Sequence, residues 1–143
     1  MIGLVIATHG DLAKGLCQTS EMFLGKLQNT KNIGLQSEES AIDFQERLEG
    51  AVREVNKGKG VLILTDLNGG TPFNRGIMVK SAQPDQLIEV FSGVNLPMVI
   101  DALNHQILNS TFETTVTSIL NEAINGIATA TSLLATADEE DEF

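Results

Sequence analysis

The sequence predicts an α/β domain in three layers, with a parallel sheet between two sets of helices. Three observations carry this. Two apolar runs, Ile2 to Ala7 and Val61 to Thr65, are continuous rather than alternating, as in strands buried on both faces. Segments with a 3.6-residue apolar period stand between the strand-like runs. Strand and helix alternate as far as His105, a pattern that calls for right-handed crossovers between parallel strands.

The first strand, Ile2 to Ala7, breaks at Thr8-His9-Gly10. A helix is expected from about Asp11 to Leu24, with Asp11 as N-cap or first-turn acid. Leu12, Leu16, Cys17, Phe23 and Leu24 make its apolar stripe, and Gly25 ends it. A short second strand falls near Asn32 to Leu35. Ser37 and Ser40 are both suited to cap the second helix, where Ala41, Phe44, Leu48, Ala51, Val52 and Val55 keep the helical period. The third strand, Val61 to Thr65, runs into Asp66-Leu67-Asn68-Gly69-Gly70-Thr71-Pro72-Phe73-Asn74. The third helix is expected to take Thr71 as N-cap and Pro72 at its first position, and to reach Ser81. The fourth strand is Leu87 to Phe91, and the fourth helix covers Asn95 to His105. A fifth helix, Ser110 to Ile124, groups Phe112, Val116, Ile119, Leu120 and Ala123 on one face, with Gly126 closing it. Ile127 to Thr131 alternates with period two and is rich in β-branched residues, which predicts a terminal edge strand. One domain is expected over residues 1–135, followed by an acidic, disordered tail over 136–143.

Composition excludes several classes. The formal charge is −10, with five of the acidic residues in the last six positions. The rest of the chain is still acidic, so it has no electrostatic footprint for nucleic acid. No apolar run approaches the length of a membrane span, and no signal-peptide pattern opens the chain, so a cytoplasmic protein is expected. The one cysteine, Cys17, reads as a small core residue, and His9, His105 and Cys17 stand in unrelated places that supply no metal set. No GxxxxGK[ST] loop and no GxSxG elbow occurs. The absence of Trp and Tyr leaves little to stack on a flavin, which disfavours a flavodoxin-like binding role.

Chemistry is expected where loops leave the first and third strands. In a doubly wound sheet of order 2-1-3-4 those strands are neighbours whose following helices lie on opposite faces, and the crevice between their loops is the switch point. His9 would stand on one side and Asp66 with Gly69 to Asn74 on the other. A carboxylate that accepts the N–H of one imidazole nitrogen fixes the tautomer and leaves the other nitrogen to react. Gly69 and Gly70 let backbone approach an anion, and the start of the third helix points free N–H groups at it. Thr71 adds a hydroxyl. These residues describe a site for a phosphoryl group held on His9. His105 is expected only to favour a helix terminus, and Arg75 either to meet a phosphate or to face water.

With Thr8-His9-Gly10, Leu64 to Asn74 and Gly93-Val94-Asn95-Leu96-Pro97 in this order and spacing, the chain resembles the enzyme IIA components of the mannose–sorbose family of the bacterial sugar phosphotransferase system. The resemblance covers about residues 1–131. It implies a sheet of order 2-1-3-4 and a homodimer with an exchanged antiparallel strand, matching Ile127 to Thr131. It also implies a phosphotransferase without cofactor, in which His9 accepts a phosphoryl group from HPr and passes it to enzyme IIB. The membrane components IIC and IID would be met only indirectly. Asp66 matches the orienting aspartate, and Thr71 the small hydroxyl position. A phosphorylation-sensing regulatory module and the phosphocarrier subunit of a dihydroxyacetone kinase are the alternatives. The sugar is not legible, because this component does not touch it.

Overall fold

The computed structural model describes residues 1–140. Four strands, β1 (Gly3–His9), β2 (Thr30–Leu35), β3 (Val61–Thr65) and β4 (Ile88–Phe91), form one sheet of order β2-β1-β3-β4. All three pairings are parallel, as expected. The helices are α1 (Leu12–Leu24), α2 (Ala41–Val55), α3 (Thr71–Ser81), α4 (Leu96–Ile107), α5 (Phe112–Asn125) and α6 (Ala130–Glu140).

Alternate strand residues bury on opposite faces, which is why the strand sequences are continuously apolar. Leu4, Ile6, Leu62 and Leu64 pack with Ala13 and Cys17 of α1, Met98, Val99, Ala102 and Leu103 of α4, and Ile119 and Ala123 of α5. Val5, Ala7 and Ile63 pack with Phe44, Leu48, Val52 and Val55 of α2 and Val79 of α3. The helix after β1 and the helix after β3 therefore lie on opposite faces, and the ends of β1 and β3 flank the switch point.

Polar side chains set most helix starts. Ser40 accepts the Asp43 N–H at 3.0 Å, Asn95 accepts the Met98 N–H at 3.0 Å, and Thr111 accepts the Thr114 N–H at 3.2 Å. Each such cap stabilises by about 1 kcal/mol. Two expected caps move. Asp11 makes no side-chain cap bond, and the buried Thr8 hydroxyl accepts the Ala13 N–H instead, at 2.8 Å. Gly70 rather than Thr71 is the N-cap of α3, so Thr71 is its first residue and Pro72 its second. In α5, Leu120 points outward and Thr115 takes the buried place, its hydroxyl returned to the Thr111 carbonyl at 2.8 Å.

The C-terminal segment corrects the expected edge strand. Ile127 to Thr129 has no regular structure, and Ala130–Glu140 is helical, so the sheet has four strands among the described residues. A five-residue alternation is a weak signal beside the following Ala- and Leu-rich run, whose residues are among the best helix formers. Thr129 then starts the helix, its hydroxyl accepting the Ser132 N–H at 3.1 Å. Residues 136–140 of the expected acidic tail continue α6, and Asp141, Glu142 and Phe143 lie outside the described residues.

Cys17 sits in the core between α1 and the sheet, and burial pushes its thiol up from 9.0 to about 11. A thiol with a raised folded value stays neutral through pH 8 and costs stability only as pH climbs through its unfolded value. Native protein at pH 8 is therefore expected to alkylate with iodoacetamide at least ~100-fold more slowly than denatured protein. Equal rates in the two states would show that Cys17 is open to solvent.

Candidate functional site

Parallel strands end together at one edge of the sheet, and three loops meet there. His9 is the last residue of β1 and Asp66 the first after β3. The end of β3 is anchored by its neighbours. The Thr65 hydroxyl donates to the Phe91 carbonyl at 2.6 Å, and the Thr65 carbonyl accepts the Val94 N–H at 3.0 Å. The Gly93 to Pro97 segment thus serves the frame. Its Asn95 also donates to the Ala123 carbonyl at 2.9 Å, tying α4 to α5.

Asp66 grips His9 twice. Its Oδ2 accepts the His9 backbone N–H at 3.1 Å, and its two oxygens lie 3.0 and 3.2 Å from the imidazole Nδ1. An ionised carboxylate only accepts, so Nδ1 carries the proton and Nε2 keeps its lone pair. Nε2 has no hydrogen-bond partner among the described residues. The imidazole is 45% exposed, whereas Asp66 is 16% exposed, so the orienting group is covered and the reactive edge is open.

Gly70 closes one side of the ring. A Cβ built on it would lie 2.9 Å from His9 Cε1, inside the contact distance of real side chains. Gly69 takes φ +81°, a backbone conformation that favours glycine. Asn74 donates its side-chain amide to the Gly69 carbonyl at 3.0 Å and holds the loop in shape. Thr71 is half-buried at the head of α3, whose N-terminus has no side-chain cap. His9, Asp66 and Gly70 are therefore in one cluster; Gly69 and Thr71 flank Gly70 along the chain, and Asn74 is tied to it through the Gly69 carbonyl. Arg75 is not at this cluster, since its guanidinium donates to Gln45 of α2 at 3.0 Å.

Sequence reasoning named two loops and missed the third. A depression beside His9 and Gly10 is lined by Leu35 at the end of β2 and by Gln36, Ser37 and Glu39 of the turn after it. The signal was available, because order 2-1-3-4 puts the end of β2 beside the end of β1 as surely as it does β3. Among the described residues, no three His, Cys, Asp or Glu side chains cluster as a metal site. A mostly apolar cavity at the opposite end of the sheet is lined by Leu24, Leu27, Leu103 and Ile107 among others, with Lys26 as its one charged side chain.

Fold and site define a class: a doubly wound α/β domain built around one oriented, accessible histidine at its switch point. A family model, EIIA-man, described as PTS system fructose IIA component, matches residues 3–120. The chain belongs to this enzyme IIA family of the phosphotransferase system. It is 36% identical over 102 residues to the PTS system mannose-specific EIIAB component of Escherichia coli strain K12, covering 71% of this chain and 31% of that protein. The chain thus spans about a third of the length of those mannose-specific relatives. It is 31% identical over 104 residues to the PTS system fructose-specific EIIA component of Bacillus subtilis strain 168, covering 73% of this chain and 70% of that one. The crystal structure of phosphotransferase system component EIIA from Streptococcus agalactiae matches with a TM-score of 0.84 at 30% identity, over 92% of this chain and 99% of that one.

Proposed function

We propose that this chain is a phosphocarrier, in which Nε2 of His9 accepts a phosphoryl group from phosphorylated HPr and passes it to a histidine of enzyme IIB. The observation that carries the reading is the double grip of Asp66 on His9, which commits Nδ1 and leaves Nε2 bare. In the first step the phosphorus–nitrogen bond of the donor breaks, its electron pair returning to the donor imidazole, as the bond from Nε2 to phosphorus forms. The Nδ1 proton stays in place, and Asp66 balances the positive charge that grows on the ring. Transfer of this kind is mainly alignment and charge stabilisation. The uncapped start of α3 supports Gly69, Gly70 and Thr71 as the seat of the phosphoryl oxygens, with Asn74 holding that loop. No nucleotide or metal is required, because a phosphohistidine donor already has high transfer potential.

The EIIA names carried by the relatives favour this carrier over a phosphorylation sensor or a dihydroxyacetone-kinase subunit. No helix among the described residues is long and apolar enough to cross a membrane, which fits a cytoplasmic component that meets IIC and IID only through IIB. The direct test is incubation with phosphorylated HPr. An acid-labile label on His9 that moves on to enzyme IIB supports the proposal, and no label on the intact chain removes it.

A homodimer completes the reading. Ile127 is 78% exposed, Leu133 52% and Leu134 61%, a run of apolar surface that a second copy would cover. Truncation after Gly126 is expected to weaken dimerisation, read by sedimentation velocity across a dilution series. An unchanged dimer would exclude the C-terminal segment from the interface.

A further inference from the structure

We propose that Gly34 is a positioning residue for His9, resting on the phosphocarrier reading above and extending it to β2, whose end sequence reasoning did not bring to the site. Gly34 pairs with Thr8 in the parallel ladder between β1 and β2. One residue beyond His9, Gly10 adopts φ +55°, donates its N–H to the Leu35 carbonyl at 2.9 Å, and turns the chain toward α1. That turn lays the Gly10 carbonyl against Gly34. A Cβ on Gly34 would overlap the Gly10 carbonyl oxygen and stand 3.0 Å from its carbon. Both are backbone atoms, so no rotamer change relieves the overlap, and the Gly10–Asp11 peptide, one residue beyond His9, must move.

The seat itself is braced. The Gly34 carbonyl accepts from Arg47 Nη1 at 3.1 Å and from Gln36 Nε2 at 2.9 Å. Arg47 is in turn paired with Glu39 at 2.8 Å, and Glu39 accepts the Gln36 N–H at 3.2 Å. The end of β1 is thus fixed on both flanks. Asp66 holds the His9 N–H and ring from the β3 side, and the Gly34 seat holds the following peptide from the β2 side. Moving the seat shifts His9 against Asp66, and alignment rather than stability is what transfer loses.

The test compares Gly34→Ala with Gly3→Ala, a substitution in the same strand pair's neighbourhood but at the far end of the sheet. A Cβ on Gly3 would meet the Val55 carbonyl at 2.5 Å and Val55 Cγ2 at 2.6 Å, so it loads the fold without touching the site. Transfer from phosphorylated HPr is followed over a range of donor concentrations, and the His9 ring nitrogens are read by 15N NMR. Gly34→Ala is expected to lower the maximal rate by about tenfold to a hundredfold at an unchanged half-saturating donor concentration. Its Nδ1–H and bare Nε2 signals should blend toward mixed tautomers, while Gly3→Ala keeps both rate and signals. A Gly34→Ala rate within about twofold of the parent, or an equal loss in Gly3→Ala, overturns the proposal. Should Gly34→Ala not fold, Arg47→Met decides, because it removes the brace without adding bulk at the turn. It is expected to lower the rate and disturb the tautomer signals in the same direction, and an unaltered rate with unaltered signals overturns the proposal. The NMR readout separates the two hypotheses: if the parent accepts no phosphoryl group, the carrier reading fails, while the tautomer comparison still judges Gly34.

Discussion

His9→Ala is expected to abolish labelling by phosphorylated HPr and to leave the fold in place. His9 ends β1 at the open edge of the sheet and belongs to neither core cluster, so its removal creates no cavity. The loss should be complete, because the other histidine is not available to replace it. His105 has both ring nitrogens engaged, Nδ1 with Ser110 at 2.8 Å and Nε2 with Ser118 at 2.9 Å, and its side chain is only 15% exposed. Ser118 gives its own proton to Asp101 at 2.6 Å, so the hydroxyl must accept from Nε2, and that nitrogen has no lone pair to offer. His105 therefore staples α4 to α5. Labelling measured by acid-labile phosphate or intact mass should fall to background at an unchanged thermal midpoint. Label retained by His9→Ala would move the acceptor elsewhere and sink the assignment.

Asp66→Asn is expected to cost roughly 100-fold in transfer rate, the kind of loss that a wrong imidazole tautomer causes. The carboxylate accepts from two donors at once, the His9 N–H and the Nδ1–H. An amide that keeps its oxygen at the Oδ2 position to accept the His9 N–H places its NH2 at the Oδ1 position, 3.2 Å from Nδ1, where one donor meets another. The ring escapes by shifting its proton to Nε2, which removes the lone pair that attacks phosphorus. Asn also withdraws the negative charge that balances the imidazolium-like state. Stability should change much less, by about 1 kcal/mol, since the site is partly solvated and the loop keeps its other bonds. Rapid-quench kinetics beside a denaturation curve separates the two effects. Unchanged transfer kinetics would strip Asp66 of its orienting role.

The sheet was legible because burial on both faces leaves no polar alternation, so Val61 to Thr65 could be read to the residue. The pairing of His9 with Asp66 was legible for a topological reason. Order 2-1-3-4 makes residues 57 apart in sequence neighbours in space. What could not be read depends on contacts rather than periodicity. Thr8 replaces Asp11 at the start of α1 because its hydroxyl reaches across the Gly10 turn, a geometry no spacing rule describes. Gly34 looked like an ordinary residue of a weak strand, and only the path of the Gly10 carbonyl shows why it has no side chain. At Ile127 to Thr131 a short alternation competed with the helix propensity of the residues after it, and propensity won. Arg75 faces α2 because the helical turn carries it away from the crevice toward Gln45.

The central claim is that Asp66 holds Nδ1 so that Nε2 of His9 carries the phosphoryl group. The most direct measurement is 15N and 31P NMR of histidine-labelled protein before and after phosphorylation by HPr. Phosphorus coupled to Nε2, with the Nδ1 proton retained, is the predicted result. Phosphorus bonded to Nδ1 would contradict the account, because that nitrogen could not then be donating to Asp66.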